Sequence, residues 1–226
     1  MVTSRGLSMR MCRRLGLSIG KRYTFYDYVS LDTRVAQACV VTPVKTRNVM
    51  IQTKFRYGDN GTNQMSIVNK LGTGGTADGF GVQPGGHPWR IRYAAGGDAT
   101  FNHSISAATW YTAVFAVYSG NNSQALGLNG TTYTEIETLA TEDSLKAWTL
   151  FGPDVSGNNM NGASKIREVK IYDYSTDALL ADLKPSTKGR SQIIGFYDEV
   201  SRTFCPATVA GVEQAVGGSY FSVGNV

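Results

Sequence analysis

Cysteine, proline, histidine and charge are all scarce in this chain of 226 residues, with Cys 3, Pro 6, His 2 and only 17% of residues charged. The three cysteines, Cys12, Cys39 and Cys205, are odd in number and widely spaced. That excludes a disulfide framework and a zinc motif, and leaves buried or incidental thiols. No run approaches the ~18 apolar residues of a membrane-spanning helix. His87 stands in Gly85-Gly86-His87-Pro88 and His103 in Asn102-His103-Ser104. Neither has a cysteine or carboxylate at metal-ligand or triad spacing, so both are expected to be ordinary loop residues, His87 in a turn. Acidic residues are missing altogether from residues 1–22.

Those first residues hold Arg5, Arg10, Arg13, Arg14, Lys21 and Arg22, six of the 22 basic residues. The remainder, 23–226, therefore has 16 basic and 17 acidic residues, a net charge of −1. The basic pI belongs to a short arm and gives no argument for specific nucleic-acid binding by the rest. The longest uncharged run of the arm, Leu15 to Gly20, is shorter than the roughly 7–15 apolar residues of a secretory leader, and Lys21-Arg22 follows it. Export by a cleaved leader is not expected. Leu7, Met11, Leu15 and Ile19 have helical spacing, broken by Gly6, Gly16 and Gly20, while Leu15, Leu17 and Ile19 alternate as in a strand. Helix and docked strand both stay open, as do an attachment segment and a frayed terminus.

From Tyr23 onward strand signals recur. Gly 26 and 11% aromatic residues suit strands and tight turns. Val35–Val41 is apolar and β-branched. In 49–57, Ile51, Thr53, Phe55 and Tyr57 share one face and Gln52, Lys54 and Arg56 the other, which predicts a half-buried strand ending at Gly58-Asp59-Asn60-Gly61. Further strands are expected at 65–70, 80–82 and 89–93. The run Trp110–Tyr118 is nearly continuous and predicts a central strand covered on both sides. Asn129-Gly130 is the strongest hairpin signal, between 125–128 and 131–136. Residues 148–151, 166–172 with an irregularity at Arg167-Glu168, 179–183, 193–197 and 203–205 complete the set. Only 140–148 offers a helical turn. About a dozen short strands between Gly/Asn/Pro turns predict an all-β sandwich or barrel.

The C-terminal third adds a pattern. Lys170-Ile171-Tyr172-Asp173 ends one strand, a second runs from Leu179 to Pro185, and Gly195-Phe196-Tyr197-Asp198-Glu199-Val200 with Phe204 forms a hairpin. Gly217-Gly218-Ser219-Tyr220-Phe221 follows as a final strand. This order resembles the closing strands of laminin-G-like domains of the concanavalin A-like lectin and glucanase superfamily, as found in bacteriophage virion and bacterial surface proteins. Tyr28-Val29, 39–41 and 49–57 resemble its opening strands more loosely. The resemblance implies a two-sheet antiparallel jelly-roll sandwich over 23–226, with 1–22 as an N-terminal extension. Read without the family, Gly195 permits a strand bend or a close approach to a neighbour, and Asp198 can accept backbone N–H groups in a turn.

Chemistry is sparse. Glucanases of this superfamily carry Glu-x-Asp-x-x-Glu on one strand, and no such motif exists here. Glu135, Glu137, Glu142 and Asp143 form the nearest acidic cluster and lack the third acid, so no catalytic residue is expected. No metal ligand set is assigned. Asp59-Asn60 and Asp154 with Asn158-Asn159 could contribute oxygens to Ca²⁺, but these residue types also make ordinary turns, and no cofactor is expected. Asn60, Asn102 and Asn129 head glycosylation triplets expected to be unused. Trp110 and Trp148 stand in apolar runs and are expected in the core. Trp89, with His87 and Tyr93, is the carbohydrate-platform candidate.

The expectation is a non-enzymatic virion structural, decoration or adhesion protein of a bacteriophage capsid or tail. Its arm (Arg5, Arg10, Arg13, Arg14, Leu15, Leu17, Ile19, Lys21, Arg22) would dock on other virion proteins. Homo-oligomers and a host-surface glycan remain open partners. The alternative is a carbohydrate-binding module on a bacterial cell surface, with a glucanase-like hydrolase a distant third.

Overall fold

The computed structural model describes residues 18–19, 22–33, 35, 37–58, 65–71, 77–83, 87–90, 104–118, 123–136, 146–152 and 163–226. Among them there is no helix. The strands in chain order are β1 (Ser18–Ile19), β2 (Tyr23–Phe25), β3 (Tyr28–Leu31), β4 (Ala38–Val41), β5 (Val49–Tyr57), β6 (Met65–Leu71), β7 (Ala77–Gln83), β8 (His87–Arg90) and β9 (Tyr111–Tyr118). They continue with β10 (Ser123–Leu128), β11 (Thr131–Ile136), β12 (Thr149–Leu150), β13 (Ser164–Asp173), β14 (Leu179–Lys188), β15 (Ile193–Asp198), β16 (Phe204–Val209), β17 (Val212–Glu213) and β18 (Phe221–Gly224).

All pairings are antiparallel, and they build two layers. The first runs β11–β10–β9–β5–β13. The far edge of β13 is then divided: its start pairs with β3, which pairs with β18, and its end pairs with β14. β14 in turn lies between β15 and β2. The second layer runs β8–β7–β6–β12–β4–β16–β17. β16 joins the layers, pairing with β15 through Phe204–Pro206 and with β4 through Ala207–Val209. This is an all-β sandwich, one of the two architectures that the strand rhythm predicts, with the two-sheet jelly-roll arrangement that the C-terminal resemblance implies.

Local sequence accounts for most elements. β5 alternates buried and half-buried along its whole length, with Ile51, Phe55 and Tyr57 inward. Asn129 (φ 48°) and Gly130 (φ 93°) both take left-handed conformations, and Leu128 pairs with Thr131 across them. That is the two-residue hairpin expected for Asn-Gly, and Asn129 Oδ1 also accepts the Thr112 N–H at 2.9 Å. Asp198 Oδ1 accepts N–H groups from Asp182 (2.8 Å) and Val200 (3.1 Å), and Oδ2 accepts that of Ser201 (3.0 Å). Its side chain therefore holds the β15–β16 turn. Gly195 faces the neighbouring strand so closely that a Cβ would stand 2.2 Å from the Cys205 carbonyl oxygen.

Other expectations need correction. β9 is central but not covered twice: Ala113, Phe115 and Val117 are buried, while Thr112 and Tyr118 are exposed. Small Val114 and Ala116 on its outer face made the run look uniformly apolar. β14 does not stop at Pro185 but continues to Lys188. The Pro185 carbonyl still accepts the Tyr26 N–H at 3.0 Å, so the missing donor does not end the ladder. His87 lies in β8, paired with Gln83, rather than in a turn. In the last expected strand, only Phe221 onward is extended. Of the segment 1–22, Ser18 and Ile19 pair with Thr24 and Tyr23, so the strand reading holds there. Arg22 is exposed. Arg5, Arg10, Arg13, Arg14, Leu15, Leu17 and Lys21 lie outside the described residues, as does most of 140–148.

Aromatic rings pack across the gap between layers. Phe80 of β7 meets Phe55 of β5 and Phe115 of β9, each at 5.6 Å between ring centroids. Phe115 meets Trp148 at 6.2 Å, and Phe151 meets Phe221 at 5.4 Å. One buried polar bridge runs with them. Arg47 donates to Asp78 at 2.6 and 3.2 Å, and Gln124 donates to the same carboxylate at 3.1 Å. The hydrogen bonds offset the desolvation of the buried pair.

Cys39 and Cys205 are both buried. Burial first, then the nearby Asp198 carboxylate, pushes the Cys205 thiol up from 9.0 to about 12. The unfolded thiol ionises before the folded one, so this group withdraws stability as pH rises from about 9 toward 12. In the folded protein at pH 8, Cys205 should resist an aromatic disulfide reagent and react only once urea unfolds the chain. Rapid native labelling at Cys205, located by peptide mapping, would contradict this burial. Gly195→Ala is expected to cost about 1–3 kcal/mol or more by overpacking against backbone, read from the urea midpoint.

Candidate ligand-binding face

The outer face of the first layer carries side chains that the core has no use for. On β5 these are Gln52, Lys54 and Arg56, all half-buried. On β13, Ser164, Ile166, Val169 and Ile171 are buried, so the alternation slips by one residue. A bulge between Ile166 and Val169 absorbs the slip and leaves Lys165, Arg167 and Lys170 half-buried on the outside. Arg56 pairs with Lys165, and Lys165 with Ser30 of β3, so cations of two strands stand side by side.

Two aromatic rings lie over these cations. Tyr28 opens β3 and Trp110 immediately precedes β9, and their centroids are 6.1 Å apart. The Lys165 ammonium lies 4.4 Å from the Tyr28 ring centre and 3.3 Å from its hydroxyl oxygen. The Arg167 guanidinium lies 4.2 Å from the Trp110 ring centre. Such contacts favour the cation by about 0.5–1 kcal/mol at exposed sites. A Cβ at Gly224 would stand 2.3 Å from the Tyr28 hydroxyl oxygen, so the glycine leaves room for the phenol. Where β3, β5 and β13 end, a cleft of about 220 Å³ is lined by Ser30, Asp32, Arg56, Tyr57, Ser164 and Lys165, among others.

A second ring pair marks the other end of the same layer. Tyr118 closes β9 and Tyr174 follows β13, 38% and 44% exposed, with centroids 5.3 Å apart. Beside them Asn48 Nδ2 donates to Ser175 Oγ at 2.7 Å, and Asp173 Oδ1 accepts the N–H groups of Ser175 and Thr176.

Charge on this face is not neutralised in place. Glu168 and Asp182 both bind Lys184, at 2.7 and 2.5 Å. Among the described residues, no ion pair engages Lys54, Arg56, Lys165, Arg167 or Lys170. The Nε of Arg167 is shut from solvent and has no hydrogen-bond acceptor.

The residues singled out in the sequence lie elsewhere or beyond description. Trp89 and His87 are on β8 of the second layer, where only the backbone register is defined, Trp89 opposite Gly81. Tyr93, His103, Glu137, Glu142, Asp143, Asp59, Asn60, Asp154, Asn158 and Asn159 lie outside the described residues. Glu135 is on β11 opposite Gln124. Among the described residues no three His, Cys, Asp or Glu side chains come together as metal ligands. Trp148 is in the core as expected, its Nε1 donating to the Thr46 carbonyl at 2.7 Å. Trp110 is not: it is half-buried on the outside. The usable signal was the outward set Lys54/Arg56 and the Lys165/Arg167 pair, which mark a face but not its neighbours.

No protein-family model and no curated sequence matches the chain. Solved structures do, at identities that speak for fold alone. A provisionally named carbohydrate binding protein from Bacteroides ovatus is 12% identical with a TM-score of 0.56, over 85% of this chain and 62% of its own. A heptameric SAP-like pentraxin from Limulus polyphemus is 9% identical with a TM-score of 0.53, over 92% and 97%. A Trypanosoma rangeli sialidase is 12% identical with a TM-score of 0.51, over 67% of this chain. The chain spans about a quarter of that sialidase's length, 27%. These similarities agree with the concanavalin A-like sandwich.

The two tryptophans should separate in stability. Trp148→Ala is expected to cost about 3–5 kcal/mol by leaving a core cavity. Trp110→Ala should cost only about 1 kcal/mol, mainly its cation contact. Chemical denaturation of both variants checks this, and equal losses would place Trp110 in the core after all.

Proposed function

We propose that this chain is a non-catalytic recognition and display protein, in which the sandwich contacts carbohydrate and the basic segment 1–22 attaches it to a larger surface. One observation carries the reading: four aromatic rings, those of Tyr28, Trp110, Tyr118 and Tyr174, stand on the outer side of the first layer, outside the interlayer core. A sugar presents C–H faces that cover an aromatic ring and hydroxyls that need polar partners nearby. Both chemistries meet at each ring pair.

The fold supports the reading without carrying it. Carbohydrate binding is part of the provisional name of the Bacteroides ovatus protein, and the Limulus pentraxin is heptameric. We extend both features to this chain, as glycan contact and as assembly into a homo-oligomer. The setting we favour is a bacteriophage virion, on the capsid or tail, with a bacterial cell surface as the alternative. There the six cations of segment 1–22 would bind neighbouring virion proteins. The pairing of β1 with β2 supports an arm that leaves from the sheet margin.

A glycan array probed with the purified full-length chain tests the function. We expect ligands that are bound without being hydrolysed, with signal lost in the Trp110→Ala/Tyr118→Ala double variant. Cleavage of a bound glycan, or no binding to any glycan, would sink the proposal. Deleting residues 1–17 keeps β1 and should leave glycan binding intact while abolishing incorporation into particles.

A further inference from the structure

Resting on carbohydrate recognition as just proposed, we infer that the ligand is a linear acidic polysaccharide, carrying carboxylate or sulfate groups, laid along β5 and β13 between the two ring pairs. The ring pairs are the ends of one strip. Trp110 and Tyr118 bracket β9, which at about 3.4 Å per residue puts them roughly 27 Å apart. Lys165 stands near the start of β13 and Tyr174 just past its end, a similar span. A strip of that length takes several sugar residues rather than one.

The charge between the ends sets the ligand class. Lys54, Arg56, Lys165, Arg167 and Lys170 share the outer face, and none is in an ion pair among the described residues. On one strand face, successive side chains are about 6.8 Å apart, and adjacent strands are about 4.8 Å apart. Five like charges at such spacing repel one another in the free protein. A chain with regularly placed anions removes that repulsion. Lys184 meanwhile holds Glu168 and Asp182, and Asp32 at the cleft accepts the Ser30 hydroxyl, so among the described residues five cations face one carboxylate outside any ion pair.

The geometry favours planar oxyanions. The Arg167 guanidinium lies 4.2 Å from the Trp110 ring centre with its Nε shut from solvent, so an oxyanion would be met by the terminal nitrogens of the group. The cleft at the strand ends brings Arg56 and Lys165 together beside Ser30, whose hydroxyl donates to Asp32 at 2.6 Å. The bed beside the strip is low and uncharged, made of Thr112, Val114 and Ala116 on β9, so a sugar chain can lie flat on it. A nucleic acid fits less well, because its successive bases need stacking partners along the strip, and Thr112, Val114 and Ala116 between the ring pairs offer none.

The test must separate the strip from the basic segment. Three full-length proteins are compared: the parent chain, a strip variant Lys165→Gln/Arg167→Gln, and an arm variant Arg5→Gln/Arg10→Gln/Arg13→Gln/Arg14→Gln. Unchanged melting temperatures confirm folding. Calorimetric titration uses polygalacturonate, dextran sulfate, neutral dextran and a single-stranded oligonucleotide. The expected result is polygalacturonate or dextran sulfate binding that survives in the arm variant, weakens about tenfold or more in the strip variant, and falls steeply with added salt. Tyr118→Ala should weaken long chains more than short oligosaccharides. Binding that disappears in the arm variant and persists in the strip variant overturns the inference, as does tighter binding of the oligonucleotide through the strip. If only neutral glycans bind, here or on the array, the acidic-ligand inference falls while carbohydrate recognition stands. If no glycan binds, both fall.

Discussion

The pairing of β13 with β5, interrupted once by a bulge, is the constraint on which the rest depends. Ser164 and Ile166 face the core, and so do Val169 and Ile171. Strict alternation from Ile166 would instead put Glu168 and Lys170 inside. Burying two ionised groups without partners costs far more than one irregular step in a hydrogen-bond ladder. The bulge therefore follows from the sequence of the strand. It also allows the far edge of β13 to serve two neighbours, β3 before it and β14 after it. It turns Arg167 outward beneath Trp110, and Glu168 toward Lys184.

The core and the outer face divide the aromatic residues between them. Inside, Phe55, Phe80, Phe115 and Trp148 pack edge-on or tilted across the layers, and Trp148 keeps its one donor satisfied. The buried Arg47–Asp78–Gln124 bridge is fully inside this packing and leaves no cation of its own for a ligand. Outside, Tyr28, Trp110, Tyr118 and Tyr174 face away from the second layer. They are held by cations and by each other, which keeps them accessible and costs the core nothing.

Much of the architecture was readable before any coordinates. The alternation of 49–57, the Asn129-Gly130 hairpin, the close approach at Gly195 and the turn held by Asp198 all came from local chemistry. Each depends on groups a few residues apart, or on a backbone that only one residue type tolerates. The outward set Lys54/Arg56 was readable too. The candidate site was not. Trp110 stood at the head of an apolar run and was assigned to the core, because a run of Trp, Tyr, Val and Phe carries no mark of which residue precedes the strand. Tyr28 looked like one more strand residue. The expected platform, Trp89 with His87 and Tyr93, rests on turn chemistry around Gly85-Gly86, whereas His87 lies in a strand.

By itself, then, the sequence determined the class of fold, the positions of most strands and, where apolar and polar residues alternate as in 49–57, which side chains face outward. Period-two alternation encodes a face within a strand, and turn residues encode where it stops. Only the tertiary structure decided which outward residues become neighbours. Tyr28 and Lys165 touch across a separation of 137 residues, and Asn48 meets Ser175 across 127. Strand order in a jelly roll is set by how two layers close over a shared core, a global packing condition that no local window contains. The face that we propose meets an acidic glycan exists only because β3, β5, β9 and β13 are brought side by side.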